Sequence, residues 1–483
     1  MNTTDIPVLC NYINGKWVEA MTGSVTDQRD PADLSVVTCR FQQSGREDAR
    51  AAIAAAEAAL PAWSALTAPK RAEFLGRAQA VIVRRQEEIA ASITRENGKT
   101  IAESRIEVAA AIKEMDWLIG EGRRLYGETI PVERDGVFAY SIRQPLGVVS
   151  VISPWNFPFN VVCRKCVPAL MGGNTVVLKP ASLTPRTAAY FVDAMAEAGL
   201  PAGVLNFIAG PGSTAGDELV IHPAIRAISF TGSTPVGMGI HQKAAATLAR
   251  TQLEMGGKNP AVVLADADLG AAADAVVLAA YACAGQWCTS TSRALVEASV
   301  FDRFQQEVLK RVAKIKVGNG MDPTTTMGPV CGEQQVRDIL GYIEIGKREG
   351  AKLAAGGNRL GEGCFIEPTV FTGVTPDMVI AREEIFGPVL CLMKVADFDE
   401  AVRLANDVVF GLSSSVFTTS LEKALRFVEA TDVGLTHVNL PTAYKEPQLS
   451  FGGIKQSGVG LPEAGKTGIE FFTRHKVAYL KYR

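Results

Sequence analysis

Three short stretches of this chain hold residue types that could together perform covalent chemistry on a carbonyl. "AGQWCTSTSR", Ala284 to Arg293, interrupts an alanine-rich, helix-like run to place one thiol, Cys288, among small polar residues. Gly285, Gln286, Thr289 and Ser290 supply backbone and hydroxyl donors without bulk, which suits a thiolate that another molecule must approach. A buried structural cysteine is the commoner role, and Cys163, Cys166 and Cys283 are read that way. "TQLEMGGKNP" sets Glu254 between Leu253 and Met255, an apolar setting that raises a carboxyl pKa towards the range of a general base near neutrality. By residue type alone it is equally a solvated glutamate at a helix end. "SPWNFPFN" holds Asn156 between Trp155 and Phe157, as a turn asparagine or as a preorganised carboxamide donor for an oxyanion. None of the four histidines, His222, His241, His437 and His475, lies in a cysteine-protease context, so the base is sought among carboxylates.

Such groups need elements to bring them together. Residues 46 to 125 carry apolar positions at helical spacing and include "RAEFLGRAQAVIVRRQEEIAASITRENGK", which closes on Gly98. From 147 short β-branched runs alternate with helical patterns: "GVVSVISPW", "NTVVLKPAS", "TPRTAAYFVDAMAEAGLP", "GVLNFIAG" and "AIRAISFTGS". A second alternating region starts at "NPAVVLADADL" and continues through "FIEPTVFTGV", "PVLCLMKVADFDEAVRLANDVVFGLSSSVFT" and "VGLTHVNLPT". Strands alternating with helices predict parallel βαβ units, here in two α/β lobes divided near residue 257. "GVFAYSIRQPLG" and the terminal "KVAYLKYR" read as strands with exposed edges, which are commonly paired with a second subunit. "FTGSTPVGMG" follows a strand and could open a helix whose free N–H groups take a phosphate, although it matches neither GxGxxG nor the Walker pattern.

Composition narrows the function classes. At 483 residues the chain is long enough for two or more lobes with a cleft between them. Lysine and arginine total 49 against 51 aspartates and glutamates, without long runs of one sign, so no nucleic-acid or membrane surface is expected and a small molecule is the expected partner. Nine cysteines without metal-ligand spacing fit reduced thiols in the cytoplasm and no metal site. The start of the chain, with Asp5 and no basic or long apolar region, does not resemble a secretory signal. "LGAAADAVVLAAYACAG" contains Asp274 and is too short to span a bilayer.

In order along the chain, "SPWNFP", "LKPAS", "FTGSTPVG", "LEMGGKNP", "GQWC", "EEIFGP" and "SFGGIKQSGVG" resemble the NAD(P)-dependent aldehyde dehydrogenase superfamily. The stretch "HVNLPTAYKEPQLSFGGIKQSGVGLPEAGKTGIEFF" is similar to a bacterial branch that includes 2-oxoglutarate semialdehyde (2,5-dioxopentanoate) and succinate semialdehyde dehydrogenases. The resemblance implies an α/β fold with a Rossmann-like cofactor lobe (residues 1–125 and 146–256), an α/β catalytic lobe (257–456) and a small β oligomerisation arm (126–145 and 470–483) that makes a homodimer or homotetramer. It also implies roles. Cys288 would attack the aldehyde, Asn156 and the Cys288 N–H would hold the oxyanion, and Glu254 would activate water, with Lys165 in the supporting hydrogen-bond network. Trp155, Lys179, Ser182, Gly232, Ser233, Glu384 and Phe386 would line the site of NADP or NAD. Arg164 would bind the far carboxylate of a semialdehyde, while a second arginine known from succinate semialdehyde dehydrogenases is replaced here by Ala282.

Three departures stand out. Many NAD-preferring members have glutamate at the position of Ser182, so NADP is expected to be accepted. The usual "PFGG" reads "SFGG" at Ser450, and "GRE" reads "GLPE" before Ala464, which puts the C-terminal geometry in question but not the reaction. A CoA-acylating relative would commonly lack the deacylating glutamate, and a non-catalytic relative would lack the nucleophile, the base or the oxyanion donor.

Overall fold

The structure, a computed structural model, describes residues 6–483. Asp5, part of the argument against a signal sequence, lies outside the described residues. The alternating pattern folds into two large, mostly parallel sheets. The first has the spatial order Gly458–Val459, Arg250–Glu254, Ile225–Thr231, Val148–Ile152, Thr175–Lys179, Leu205–Phe207, Asn11–Ile13, Lys16–Val18. Its five central strands run parallel and its flanking strands antiparallel. Val149, Val151, Val176 and Leu178 are fully buried, because helices cover the sheet on both sides. The N-terminal strands, for which the sequence carries little β-branched signal, close one edge.

The second sheet has the order Lys352–Ala355, Thr369–Thr372, Val389–Val395, Thr291–Glu297, Asn259–Val263, Ser413–Phe417, Leu435–Val438, parallel except for its first strand. Each sheet has its own core: residues from Ala261 to Phe427 pack around the second, and residues from Leu9 to Met255, with Ile469, Phe471 and Phe472, around the first. The chain crosses between the sheets at Glu254 to Asn259, and Gly458–Val459 returns to pair with Arg250–Glu254. Four helices, Arg46–Ala65, Ala68–Arg84, Gln86–Asn97 and Ile101–Gly120, fill the stretch expected to be helical. Thr129–Ile130, Val137–Pro145 and Thr473–Lys481 form a small antiparallel sheet in which Val477, Tyr479 and Leu480 are exposed. Among the described residues, no single helix is long and apolar enough to cross a membrane.

Candidate active site

The thiol owes its place to a broken helix. Helix Leu269–Tyr281 starts at Asp268, whose carboxylate accepts from the Gly270 and Ala271 N–H groups, and it stops where Cys283, Ala284 and Gly285 adopt φ of 53°, 54° and 69°. At Gly285 a Cβ would collide with the Gly387 carbonyl, so that turn accepts only glycine. The break releases the chain from the helix and delivers Cys288 just before the strand Thr291–Glu297, which the sequence patterns do not announce. Asn259 Nδ2 donates to the carbonyls of Cys288 (2.7 Å) and Ser290 (2.9 Å), while Gln286 Oε1 accepts from the Cys331 N–H (2.7 Å). The Cys288 segment is thus pinned to both neighbours.

Asn156 is buried and donates through Nδ2 to the Gln286 carbonyl at 3.1 Å, which leaves the second N–H of its carboxamide for a ligand. Its own carbonyl accepts from Lys99 Nζ at 2.6 Å, and Lys99 pairs with Glu107 at 2.7 Å, both side chains being essentially solvent-free. Glu107 in turn accepts from the Phe159 and Asn160 N–H groups at the start of helix Asn160–Met171. One buried ion pair therefore fixes both Asn156 and the helix that carries Arg164 and Lys165.

Glu254 ends a strand rather than a helix, and its Oε2 is buried without a partner. Burial above all, and the nearby Glu463 carboxylate, push its pKa well above the ordinary value, against the opposing pull of Lys165 and Arg164. Lys165 is fully buried, donates to Ser229 Oγ at 3.0 Å, and pairs with Glu463. Glu463 belongs to the unusual "GLPE" stretch, so that departure places a buried carboxylate against Lys165. Arg164 is already engaged: Nε and NH2 grip Glu114 at 3.1 and 2.7 Å, and NH2 also reaches Asn160 Oδ1 at 2.8 Å.

Two cavities meet at this point. One, of about 820 Å³, is lined by Trp155, Lys179, Gly232, Ser233, Glu384 and Phe386; the other, of about 350 Å³, by Arg164, Glu254, Trp287, Lys445, Phe451 and Glu463. Asn156, Thr231, Met255 and Cys288 line both. Lys165 sits behind the wall, paired with Glu463. Ser182 is exposed in the turn after Lys179 and does not line the larger cavity, although Ala181 beside it does.

The larger cavity has the donors a dinucleotide diphosphate needs. Ser233 precedes helix Thr234–Ala244 with no side-chain capping bond, so its hydroxyl and the first N–H groups of the helix remain available. Lys179 is buried, burial brings its pKa down to about 8, and Ser153 Oγ is buried without a partner on the same wall. Trp155 and Phe386 cross edge to face at 5.4 Å. Glu384 accepts from the Gly257 N–H at 2.9 Å, and burial raises its pKa to about 7. A Cβ at position 256 would occupy the space its carboxylate fills. A nicotinamide dinucleotide fits this donor set.

Burial, then the Glu384 and Glu254 charges, raise the Cys288 thiol to about 12, with Arg164 and Lys445 acting in the opposite sense. The resting sulfur is therefore a thiol that needs a proton acceptor, and the carboxyl of Glu254 lines the same cavity. The short motifs do not reveal Lys99, Glu114, Lys445 or Glu463; only "GLPE" marks one of them, as a departure. Among the described residues there is no group of three or more His, Cys, Asp or Glu side chains able to hold a metal ion.

Comparison with known proteins agrees with this geometry. The aldehyde dehydrogenase family description matches residues 17–478. An alpha-ketoglutaric semialdehyde dehydrogenase of Bacillus subtilis is 44% identical over 476 residues, covering 98% of each chain. A 2,5-dioxopentanoate dehydrogenase of Saccharolobus solfataricus is 39% identical over 468 residues, covering 96% of this chain and 98% of its own. Among solved structures, a betaine aldehyde dehydrogenase from Staphylococcus aureus in complex with NAD+ superposes with a TM-score of 0.96 at 35% identity, covering 98% of this chain and 96% of its own. An NADP-dependent enzyme of E. coli gives the same TM-score and identity with complete coverage of both chains. The chain belongs to the aldehyde dehydrogenase family.

Proposed function

We propose that this enzyme oxidises an ω-carboxylated aldehyde, 2-oxoglutarate semialdehyde (2,5-dioxopentanoate), to the dicarboxylic acid with NAD or NADP. The observation that carries the reading is the position of Cys288 at the junction of two cavities, one with diphosphate-binding donors and one with buried cations. Relatives named for this same aldehyde at 39–44% identity support the substrate. In the proposed reaction Glu254 takes the Cys288 proton, directly or through water, and the sulfur bonds to the aldehyde carbon. The second Asn156 N–H and the Cys288 N–H hold the oxyanion. The dinucleotide, when bound, supplies the hydride acceptor that turns the adduct into a thioester. Once Glu254 has passed the first proton to solvent, it takes a proton from water as the water oxygen attacks the thioester carbonyl; the C–S bond breaks, the acid leaves, and the departing sulfur regains a proton from Glu254 to restore the Cys288 thiol.

The first sheet with its helices, residues 1–125 and 146–256, is the proposed cofactor domain. Residues 257–456 are the catalytic domain, and 126–145 with 470–483 the arm that joins a homodimer or homotetramer. A cytoplasmic location accords with nine cysteines that are all free. The test is kcat/KM for 2-oxoglutarate semialdehyde, succinate semialdehyde, pentanal and benzaldehyde with both cofactors, in wild type and Cys288→Ala. The reading requires preference for the acidic aldehydes and loss of turnover in the variant. Retained turnover in Cys288→Ala, or preference for benzaldehyde, overturns it.

A further inference from the structure

At one wall of the smaller cavity two cations, Arg164 and Lys445, are paired with the same carboxylate, Glu114. Glu114 is buried and its two oxygens are fully used: Oε1 accepts from Arg164 NH2 (2.7 Å) and Lys445 Nζ (2.9 Å), Oε2 from Arg164 Nε (3.1 Å) and Asn160 Nδ2 (3.0 Å). Asn160 Oδ1 is used as well, accepting from Arg164 NH2 at 2.8 Å and Lys445 Nζ at 3.1 Å. Of the other carboxylates that line the cavity, Glu463 is paired with Lys165 and stands 4.0 Å from Arg164 NH1, Glu107 is paired with Lys99, Glu103 accepts from the Thr100 and Cys283 N–H groups, and burial pushes the pKa of Glu254 well above its ordinary value. Counting donors, Arg164 keeps the two N–H groups of NH1, and Lys445 keeps one of its three. Counting charge, two cations share one anion in a region largely removed from water, where a like-charged pair is costly unless another anion joins it.

Lys445 is well placed to act on whatever sits over the sulfur. It comes from the segment after Leu435–Val438, which is tied to the nucleophile: Thr442 Oγ1 donates to the Thr289 carbonyl at 2.7 Å, and Ser413 Oγ donates to the Thr442 carbonyl at 2.7 Å. The His437 ring nitrogens face the carbonyls of Ser414 and Tyr444 at 3.0 and 2.9 Å, holding the residue before Lys445. Lys445 and Arg164 are both close enough to bias the Cys288 thiol electrostatically. Closer to the opening the walls are apolar, with Ile106 and Leu278 exposed, so the charged end of a ligand gains most at the Lys445 and Arg164 wall.

We infer that Lys445 and the free NH1 edge of Arg164 form a two-cation clamp, braced by Glu114 and Asn160, that takes the carboxylate of the aldehyde substrate. This rests on the acidic-aldehyde reading above and assigns its specificity to Lys445 as much as to Arg164. Glu114 is a positioning residue that holds the cations side by side, and the substrate carboxylate is the second anion of a two-by-two arrangement.

The test compares wild type, Lys445→Gln and Lys445→Arg, measuring kcat/KM for glutarate semialdehyde and for pentanal, which has the same carbon number. The ratio between the two aldehydes cancels any change at Cys288 or in folded fraction. Binding of glutarate to each protein, followed by calorimetry, gives a readout without turnover. The clamp predicts that Lys445→Gln lowers the ratio roughly tenfold and weakens glutarate to a similar extent, with Lys445→Arg recovering most of both. A wild-type ratio near one removes the acidic-aldehyde reading and the clamp with it. A high wild-type ratio that Lys445→Gln leaves intact removes the clamp alone.

Discussion

Replacing Lys99 with methionine should damage both stability and turnover. Lys99 and Glu107 are essentially solvent-free and paired at 2.7 Å, with Lys99 also donating to the Asn156 carbonyl at 2.6 Å and lying 3.9 Å from the Phe157 ring centroid. Burial works against the ammonium, yet Cys283, Glu107 and Glu103 outweigh it and leave the pKa above its ordinary 10.5. A cation whose folded pKa is raised contributes fully below its unfolded value, so near pH 7.5 the whole contribution is present and is lost only as pH rises through the folded pKa. Removing one partner of a buried pair costs about 3–5 kcal/mol, because the other charge is left stranded. At about 2 °C per kcal/mol for a lobe of roughly 250 residues, Tm should fall by about 6–10 °C.

The same change releases the Asn156 backbone. Deleting one oxyanion donor costs roughly 10²–10³ in kcat, and displacing one should cost roughly tenfold to a hundredfold, falling on kcat more than on KM. The assay is thermal unfolding with steady-state kinetics for Lys99→Met, Glu107→Gln and the double variant. The pair should couple, the double variant being at least about 1 kcal/mol more stable than the sum of the singles predicts. Additive single effects, or a loss confined to KM, would refute a pair that positions Asn156.

Two further expectations concern the larger cavity and the sulfur. Ser182→Glu adds a carboxylate beside Lys179 that repels a 2′-phosphate, so the ratio of kcat/KM for NADP to that for NAD should fall roughly tenfold or more; strict NAD use by the wild type contradicts the premise. With the Cys288 thiol raised to about 12, alkylation of that residue by iodoacetamide, followed by peptide mass spectrometry in the protein without cofactor, should keep rising about tenfold per pH unit from pH 7 to 10. A plateau near pH 9 would mean an unperturbed thiol.

Local sequence made the proposed reacting groups legible because each sits on a short segment with its own signature. The glycine-bounded break before Cys288, the aromatic bracket of Asn156 and the apolar neighbours of Glu254 are all visible within ten residues, and the structure brings the three together around one pair of cavities. The parallel strands were legible for the same reason, as β-branched runs between turn residues. What escaped were partnerships across long chain separations: Lys99 with Asn156, Arg164 with Glu114, Lys165 with Glu463, and Lys445 with Glu114. Each is a charge that looks like an ordinary surface residue in its own segment and is buried, or half-buried in the case of Lys445, only because another element covers it. Arg164 was legible as a cation of the substrate site only through the family resemblance, and not as one half-committed to Glu114. Ser182 shows the opposite limit, since its position in a motif places it one residue beyond the cavity lining.

The central claim is that Cys288 carries the acyl group that Glu254 helps to hydrolyse. It is tested most directly by intact-protein and peptide mass spectrometry of Glu254→Gln after mixing with cofactor and 2-oxoglutarate semialdehyde. Slowed hydrolysis should trap a thioester with the mass of the 2-oxoglutarate acyl group on the peptide containing Cys288, and none should form when Cys288→Ala is combined with Glu254→Gln. An adduct on Cys283 instead, or its persistence in the combined variant, would contradict the account.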